Sequence, residues 1–394
     1  MVLNHPPKND GSVTVKFLTV LTAILSMTFF VNGASFDEKP AGWASTGSGT
    51  TGGTGGTQVT VSTLNELNTE LKKTDKMVIW VKGTITGRVD VPTSNKSILG
   101  LPGAKIVGGI DITGSSSKRL SNIIVRNLQV QGPGSNDVDG VDCIAIQYVS
   151  NVWIDHLDVY DGQDGNMDIT NEADLITVTW VKWHYEKGGN HRFCNLIGSS
   201  DSKTGDRGKL NVTFQYCWWT NGVIERMPRV RFGKVHVVNN LFDSKDGSYC
   251  VRAGVEADIL VQSNAFIGVK NPLDYNGKQS AVTAVTMKDN LLTNCTGTTT
   301  GYKTSFTPPY SLSIVSASQV ESKVKAGAGA TLTWGSAPVT QYTLSATVAQ
   351  GQGTITPSSG SYAEGSSVTV KASPATGYKF DHWAGAATGT TPEI

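Results

Sequence analysis

The sequence predicts an all-β protein: a solenoid of stacked parallel strands followed by a small, separate β module. Short runs rich in β-branched and aromatic residues recur from Met77 to about Asn294, and no helical period separates them. The composition changes again at residue 342, where alternating strands return. With 394 residues, 44 glycines and 9 tryptophans, the chain is long enough for one large domain and a small one.

The repeat is visible when the β-rich runs are aligned on one polar or aromatic position. The aligned positions lie about 24 residues apart, with insertions of about 5 and about 12 residues. Asparagines in such a column can form hydrogen-bonded ladders, so a polar column is compatible with a buried stack. A β-sandwich is the alternative, but it would carry more hairpin signals such as Asn-Gly. The column consists of Asn127, His156, Trp180, Tyr216, Asn240, Asn264 and Asn290.

Two short helices are predicted at the ends of this stack. Thr63 and Glu66 form a capping-box pair at the start of an amphipathic helix that ends near Lys73. The segment 314–326 can form a second, closing helix. The apolar face of the first helix is formed by Leu64, Leu67 and Leu71.

The N-terminus has the pattern of a secretory signal peptide. Lys8 and Lys16 precede an apolar run over 17–31, and small residues follow up to Ala34. Residues 1–34 are therefore predicted to be removed, with cleavage near Gly33 or Ala34, leaving a secreted, extracellular protein. A membrane anchor is the alternative, but the run is shorter than the ~20 residues that span a bilayer.

Charge and cysteine content limit the possible partners. Lys and Arg total 33 and Asp and Glu total 32, so the bulk charge indicates neither a nucleic-acid nor a membrane partner. The five cysteines show no metal-binding CxxC spacing, and at most two disulfides can form from them. The sequence leaves their pairing open. They are Cys143, Cys194, Cys217, Cys250 and Cys295.

An acidic cluster is predicted near the third and fourth coils. Asp142, Asp164 and Asp168 lie on turns of successive repeats, with Asp139 and Asp161 nearby. Carboxylates from several loops suit a hard divalent cation, because calcium takes six to eight oxygen ligands. Aspartates are also favoured in solvated turns, and spacing alone does not separate the two interpretations.

A basic cluster follows about sixty residues later. Arg226, Arg229 and Arg231 lie within six residues, and Pro228 keeps this segment extended, so Arg229 and Arg231 share one face. Three guanidinium groups form a local anion site in a nearly neutral protein. Together with the acidic cluster, they suggest a site where calcium bridges the protein to an anionic polymer.

These segments carry a family resemblance. The sequences NVWIDH at 151–156 and ERMPRVRFGKVHVVNN at 225–240, with the Asp164/Asp168 pair, resemble the pectate lyases of polysaccharide lyase family one. The likeness extends over about residues 42–330 and includes LIGSSDS at 196–202. Residues 342–394 resemble an InlB-type B-repeat that ends before its last strand.

The resemblance implies a right-handed parallel β-helix over residues 35–332, a linker over 333–341 and the partial module over 342–394. It places Asp142, Asp164 and Asp168 as calcium ligands. Asp139 is a looser match, since Val141 adds a residue before Asp142. It makes Arg226 the catalytic base and Arg231 the binder of a substrate carboxylate, with Arg229 beside it.

One family residue is missing. The substrate-binding lysine expected shortly before LIGSS is replaced, since Arg192 and Phe193 occupy that position. Lys187 or Arg192 is predicted to take its place.

The implied function is that of a secreted, monomeric, Ca2+-dependent pectate lyase acting on polygalacturonate in pectin catabolism. Calcium on the substrate carboxylate would stabilise charge left by removal of the C5 proton. The alternatives are a calcium-free pectin lyase, a polygalacturonase, which needs an acid/base carboxylate pair, and a non-catalytic polysaccharide-binding adhesin.

Overall fold

The computed structural model describes residues 3–4, 13–22, 35–135, 140–334, 341–363 and 367–393. The chain divides into two compact units. One spans residues 31–335, and the other combines residues 1–30 with residues 336–394. No helix among the described residues has the length and apolar character needed to cross a membrane.

The larger unit is the parallel β-helix predicted from the repeat. Each complete coil contributes one short strand to each of three sheets, and every strand pairs in parallel with the equivalent strands of neighbouring coils. The first sheet has ten strands: Thr57–Val61, Met77–Val81, Lys96–Gly100, Leu120–Arg126, Val149–Asp155, Asp174–Thr179, Val212–Gln215, Lys234–Val238, Asp258–Gln262 and Ala284–Lys288.

The other two sheets are formed by shorter strands. The second sheet contains Thr84–Thr86, Lys105–Val107, Gln129–Gln131, Asp158–Tyr160, Lys182–His184, Trp218–Trp219, Leu241–Phe242, Ala265–Ile267 and Leu291–Thr293. The third sheet contains Val89–Asp90, Ile110–Thr113, Ile144–Gln147, Met167–Thr170, Asn195–Ile197, Arg229–Val230, Val251–Ala253 and Leu273–Tyr275.

The core lies inside the coils and consists of apolar columns. Because side chains alternate along a strand, every second residue points inward and stacks on its equivalent in the next coil. In the first sheet one such column is fully buried, and each large member contributes roughly 1.5–3 kcal/mol to stability. Its members are Val125, Ile154, Val178, Phe214, Val237 and Val261.

The polar column predicted from the sequence mixes two structural positions. From Leu120–Arg126 onward, the turn after each first-sheet strand begins with a left-handed residue, and pairing of Gln215 with Val238 aligns Tyr216 with Asn239. The predicted alignment was therefore wrong by one residue from Asn240 onward. Asn240, Asn264 and Asn290 instead form a separate ladder. Its amide groups bond at 3.0 Å from each asparagine to the next.

Both predicted helices are present. The helix Leu64–Lys72 has a capping box, in which the Glu66 amide donates to Thr63 Oγ1 at 3.3 Å and the Thr63 amide donates to Glu66 Oε2 at 3.1 Å. It buries Leu67 and Leu71 against the first coils. The helix Ala317–Gly327 covers aromatic turn residues with Val320 and Val324. The 3₁₀ turns are Trp43–Ser45, Thr204–Asp206 and Gln279–Ala281.

All five cysteines are free thiols. Four are buried in the coils, and burial raises the pKa of the Cys143 and Cys217 thiols. A buried thiol with a raised pKa is a poor nucleophile and a poor metal ligand. The cysteines therefore act as small apolar core residues.

The smaller unit is an antiparallel module with one added parallel pairing. Its strands are Leu3–Asn4, Val13–Thr22, Gln341–Val348, Gly353–Thr356, Ser359–Ala363, Lys371–Pro374 and Tyr378–Gly385. The strand Val13–Thr22 pairs antiparallel with Gln341–Val348 and parallel with Tyr378–Gly385. This strand falls inside the predicted signal peptide, so cleavage near Gly33 or Ala34, which stays a prediction, would remove it.

Candidate active site

The third sheet brings the acidic and basic clusters into one register. Strand pairing aligns Asp168 with Leu196, Leu196 with Arg229, and Arg229 with Arg252. Two steps between neighbouring strands span about 10 Å. Carboxylate and guanidinium groups that are far apart in sequence therefore lie along one short column.

The turn before this sheet carries the other predicted residues. Counting three residues back from the column in each coil gives Asp142, Gly165, Phe193 and Arg226, and the pairing shifts by one residue here, so that Phe193 pairs with Glu225. Arg226 has a left-handed backbone, with φ at 62°. A non-glycine residue in this region carries strain and persists where its surroundings hold it, often at functional sites.

The three aspartates act on one another electrostatically. Burial, together with the charges of Asp168 and Asp164, raises the pKa of Asp142 well above its usual range. Burial also raises the pKa of Asp168 to about 7, with Asp164 adding to the shift and the Arg226 guanidinium opposing it. Carboxylates that repel one another in this way need a proton or a cation between them.

Two of these aspartates are oriented by neighbouring groups. The amide of Leu196 donates to Asp168 Oδ1 at 3.3 Å. Asp164 Oδ1 lies 3.0 Å from Nδ1 of His191. Asp164 is partly exposed, whereas Asp168 is buried.

Gly165 leaves open space between two of the carboxylates. A Cβ atom on Gly165 would lie 2.9 Å from Asp142 Oδ1 and 3.5 Å from Asp168 Oδ1. Asp142 Oδ1 is itself buried without a hydrogen-bond partner among the described residues. An unpaired buried carboxylate oxygen beside an open space suits a cation ligand.

The cluster is not a closed coordination sphere. No group of three or more His, Cys, Asp or Glu side chains within the described part of the chain is arranged to hold a metal ion. A cation at Asp142, Asp164 and Asp168 would therefore take further oxygens from a ligand or from water.

Arg226 and Arg229 are the guanidinium groups of the site that form no ion pair or hydrogen bond with the described residues. The Nε atom of each is buried without a partner. Burial lowers the pKa of Arg229, and the nearby charges of Arg231, Arg226 and Arg252 lower it further. A partly buried guanidinium without a hydrogen-bonded partner favours an anionic ligand.

Arg231 is more firmly held. Its Nε donates to Asp201 Oδ1 at 2.5 Å, and its Nη1 donates to the Gly198 carbonyl at 2.8 Å. These bonds explain the LIGSSDS segment, which folds around this guanidinium. Nη2 stays without a hydrogen bond to any described residue, so one edge of the fork is available.

The two candidates for the missing lysine have different surroundings. Arg192 forms an ion pair with Asp246 at 3.0 Å. The ammonium of Lys187 donates to the Pro133 carbonyl at 3.0 Å and lines a cavity of about 530 Å³, with Arg88 among the other lining residues. Lys187 is therefore the less neutralised of the two.

The two remaining acidic residues predicted near the cluster, Asp139 and Asp161, differ from the other three. Asp139 lies outside the described residues. Asp161 is fully buried, and its Oδ1 accepts the amides of Glu186 and Lys187 at 2.8 and 2.9 Å. Asp161 therefore orders the loop that carries Lys187.

Sequence reasoning missed three supporting residues. Arg88 donates to the Asp142 carbonyl at 2.8 Å, His191 contacts Asp164, and Gly165 provides the open space. Arg88 precedes Asp142 by 54 residues, so only the coil register could have indicated it. Gly165 lies within the DGQDGNMD segment, where its position between two aspartates was an available signal.

Comparison with known families gives a match for each of the two units of the chain. Residues 15–332 match the family model described as pectate lyase, and residues 342–393 match the divergent InlB B-repeat domain. A probable pectate lyase A from Neosartorya fischeri is 36% identical over 301 residues, covering 74% of this chain and 88% of that protein. A pectate lyase B from Colletotrichum gloeosporioides is 37% identical over 300 residues, covering 73% and 85%.

Solved structures give the same result for the fold. A pectate lyase from Bacillus sp. N165, in complex with trigalacturonate, superimposes with a TM-score of 0.63 at 27% identity, covering 74% of this chain and 98% of that one. A pectate lyase whose structure addresses substrate specificity and the anti β-elimination mechanism has a TM-score of 0.63 at 25% identity, covering 75% and 99%.

Proposed function

The chain belongs to the pectate lyase family, and from this membership we propose that it cleaves α-1,4-linked polygalacturonate by calcium-dependent β-elimination. The products are unsaturated oligogalacturonates. The single observation that carries the proposal is the pair of guanidiniums without hydrogen-bonded partners, Arg226 and Arg229, beside the acidic cluster.

The basic side of the site supports a polyanionic substrate. Each galacturonate unit carries one carboxylate, and guanidinium groups bind carboxylates through paired N–H donors. Arg229 and the free edge of Arg231 are the proposed carboxylate contacts, and Lys187 and Arg192 are proposed for neighbouring units. The Bacillus relative holds trigalacturonate, which agrees with this substrate class.

The acidic side supports calcium at Asp142, Asp164 and Asp168. These side chains fit the ion because burial and neighbouring carboxylates raise the pKa of Asp142 and Asp168, and Asp142 Oδ1 is buried and unpaired beside Gly165. A substrate carboxylate would complete the oxygen ligands. When bound, calcium would draw charge from that carboxylate and so acidify the neighbouring C5 proton.

Arg226 is proposed to remove the C5 proton. Guanidinium groups are normally protonated, so this role requires the neutral form of the Arg226 side chain, which neighbouring positive charge favours. The proton passes from C5 to the Arg226 side chain. The electron pair forms the C4=C5 double bond, and the C4–O bond breaks with its electrons on the departing oxygen, which takes a proton from water.

Family membership argues against two of the alternatives considered from the sequence, the polygalacturonase and the non-catalytic adhesin. A calcium-free lyase for methylated pectin is the remaining alternative. An enzyme that binds no calcium would gain nothing from three carboxylates that repel one another in its cleft. We also propose that the enzyme is secreted and acts as a monomer.

The test is incubation with polygalacturonate, with and without a chelator, while the ultraviolet absorbance of unsaturated uronates is followed. Calcium-dependent absorbance supports the proposal. Full turnover in excess chelator would favour the calcium-free lyase, and reducing ends without absorbance would indicate hydrolysis.

A further inference from the structure

The ring of Phe193 lies against the guanidinium of Arg226, with 4.3 Å between Arg226 Cζ and the ring centroid. We propose that Phe193 is a positioning residue that holds the guanidinium of Arg226 in place once a cation occupies the acidic cluster. This inference rests on the proposed function in one respect, the role of Arg226 as the base.

The first step is that Arg226 has few other contacts. Its side chain donates no hydrogen bond to the described residues, and its Nε is buried without a partner. The remaining attractions on its head group are the charges of Asp142 and Asp168. An arginine side chain with so few contacts would otherwise retain several rotamers.

The second step concerns what a divalent cation does to those attractions. A cation bound by Asp142 and Asp168 offsets their negative charge, so their pull on Arg226 weakens when the site is loaded. The attraction to an aromatic face comes from the ring quadrupole and does not depend on these carboxylates. Phe193 is therefore the contact that remains.

The third step is that the ring is itself held. The rings of Phe193 and His191 are nearly perpendicular, with 4.0 Å between their centroids. The Tyr185 hydroxyl donates to the Phe193 carbonyl at 2.6 Å, and the Cys194 amide donates to the Glu225 carbonyl at 3.0 Å. The backbones that carry the ring and the guanidinium are thus joined directly.

An aromatic ring also differs from a carboxylate or carbonyl group in how it contacts a guanidinium. It orients the guanidinium plane without accepting a hydrogen bond from it. The Nη groups of Arg226 donate no hydrogen bond to the described residues and stay available for substrate, which an ion pair would prevent.

The experiment compares Phe193→Leu, which keeps apolar volume, with Phe193→Tyr, which keeps the ring. With polygalacturonate and saturating calcium, the leucine variant is expected to lose about tenfold in kcat while its KM and half-saturating calcium concentration stay near wild type. The tyrosine variant is expected to retain wild-type kcat. Thermal unfolding checks each fold, and Phe193→Met replaces the leucine variant if that protein is unfolded.

A second readout does not need turnover. The ¹⁵Nε relaxation of Arg226, assigned by loss of its signal in Arg226→Lys, is measured in calcium without substrate. Restricted motion in wild type and Phe193→Tyr, with increased motion in Phe193→Leu, supports the proposal. Equal restriction in all three proteins overturns it, as does a leucine variant whose kcat stays within about twofold of wild type. A wild-type enzyme without lyase activity would refute the proposed function, and the relaxation data would still decide the role of Phe193.

Discussion

The backbone amide of Asn195 donates a 2.6 Å hydrogen bond to the carbonyl oxygen of Arg226. This bond joins neighbouring coils and holds the backbone of residue 226 independently of its side chain. Substitutions at Arg226 should therefore test chemistry and leave the coil intact.

We predict that Arg226→Lys lowers kcat by roughly 10²-fold or more, the usual scale for loss of a general base. The lysine ammonium keeps the positive charge, but the lysine side chain is shorter and its head group has a different shape. It therefore does not reach the C5 proton. Calcium dependence and KM should stay close to wild type. If kcat changes only a few-fold, Arg226 is an electrostatic clamp, and Lys187 and Arg231 become the next candidates for the base.

We predict that Asp164→Ala and Asp168→Ala each raise the half-saturating calcium concentration by about tenfold or more, because each removes an oxygen ligand. Circular dichroism should show the wild-type fold, since the coils are held by their apolar columns. The matched control is Asp90→Ala, an exposed carboxylate on the third sheet, which should leave calcium dependence unchanged. Unaltered dependence in both variants would make these residues ordinary turn aspartates.

We predict that Gly165→Ala weakens calcium activation, because the added methyl group would lie 2.9 Å from Asp142 Oδ1 and occupy the space between the carboxylates. Gly188→Ala is the control, since a Cβ there meets nothing within 4 Å. Calcium titrations of activity compare the two variants. Equal half-saturation would show that the cation does not sit beside Gly165.

We predict a pH-dependent contribution from His236, which burial gives a lowered pKa of about 4. The unfolded chain binds this proton near pH 6.5. The contribution of neutral His236 to the free energy of unfolding is therefore complete above pH 6.5. The free energy of unfolding decreases by up to about 3 kcal/mol as the pH falls towards 4. Urea unfolding across this window should show a smaller acid loss for His236→Gln, and parallel pH profiles would contradict the assignment.

We predict that deletion of residues 342–394 leaves turnover of soluble polygalacturonate within about twofold of wild type. Every proposed site residue lies in the larger unit. The initial rate of the truncated enzyme provides the measurement. A folded but inactive truncation would show that the module contributes to catalysis.

Local sequence features were sufficient for part of this structure. The Thr63/Glu66 capping box depends on residues three apart, and it formed as predicted. The repeat period also predicted the stacked coils, because a period near 24 residues leaves room for three short strands in each turn. The acidic and basic clusters were visible as residue types in short segments.

The register between coils was not visible in the same way. Alignment by residue type placed Asn240 with Tyr216, whereas the pairing of Gln215 with Val238 aligns Tyr216 with Asn239. Backbone hydrogen bonds between coils and the left-handed residue at each turn decide this register. A shift of one residue is enough to exchange a turn position for a buried ladder position.

The sequence alone therefore determined the repeat, the capped helix Leu64–Lys72 and which residue types carry charge near the site. Only the tertiary structure decided which charges are already paired: Arg231 with Asp201 and Arg192 with Asp246, while Arg226 faces Phe193. The physical reason is that these partners come from different coils or loops. Charge, burial and ring contacts act through space, and the stacking of coils sets those distances.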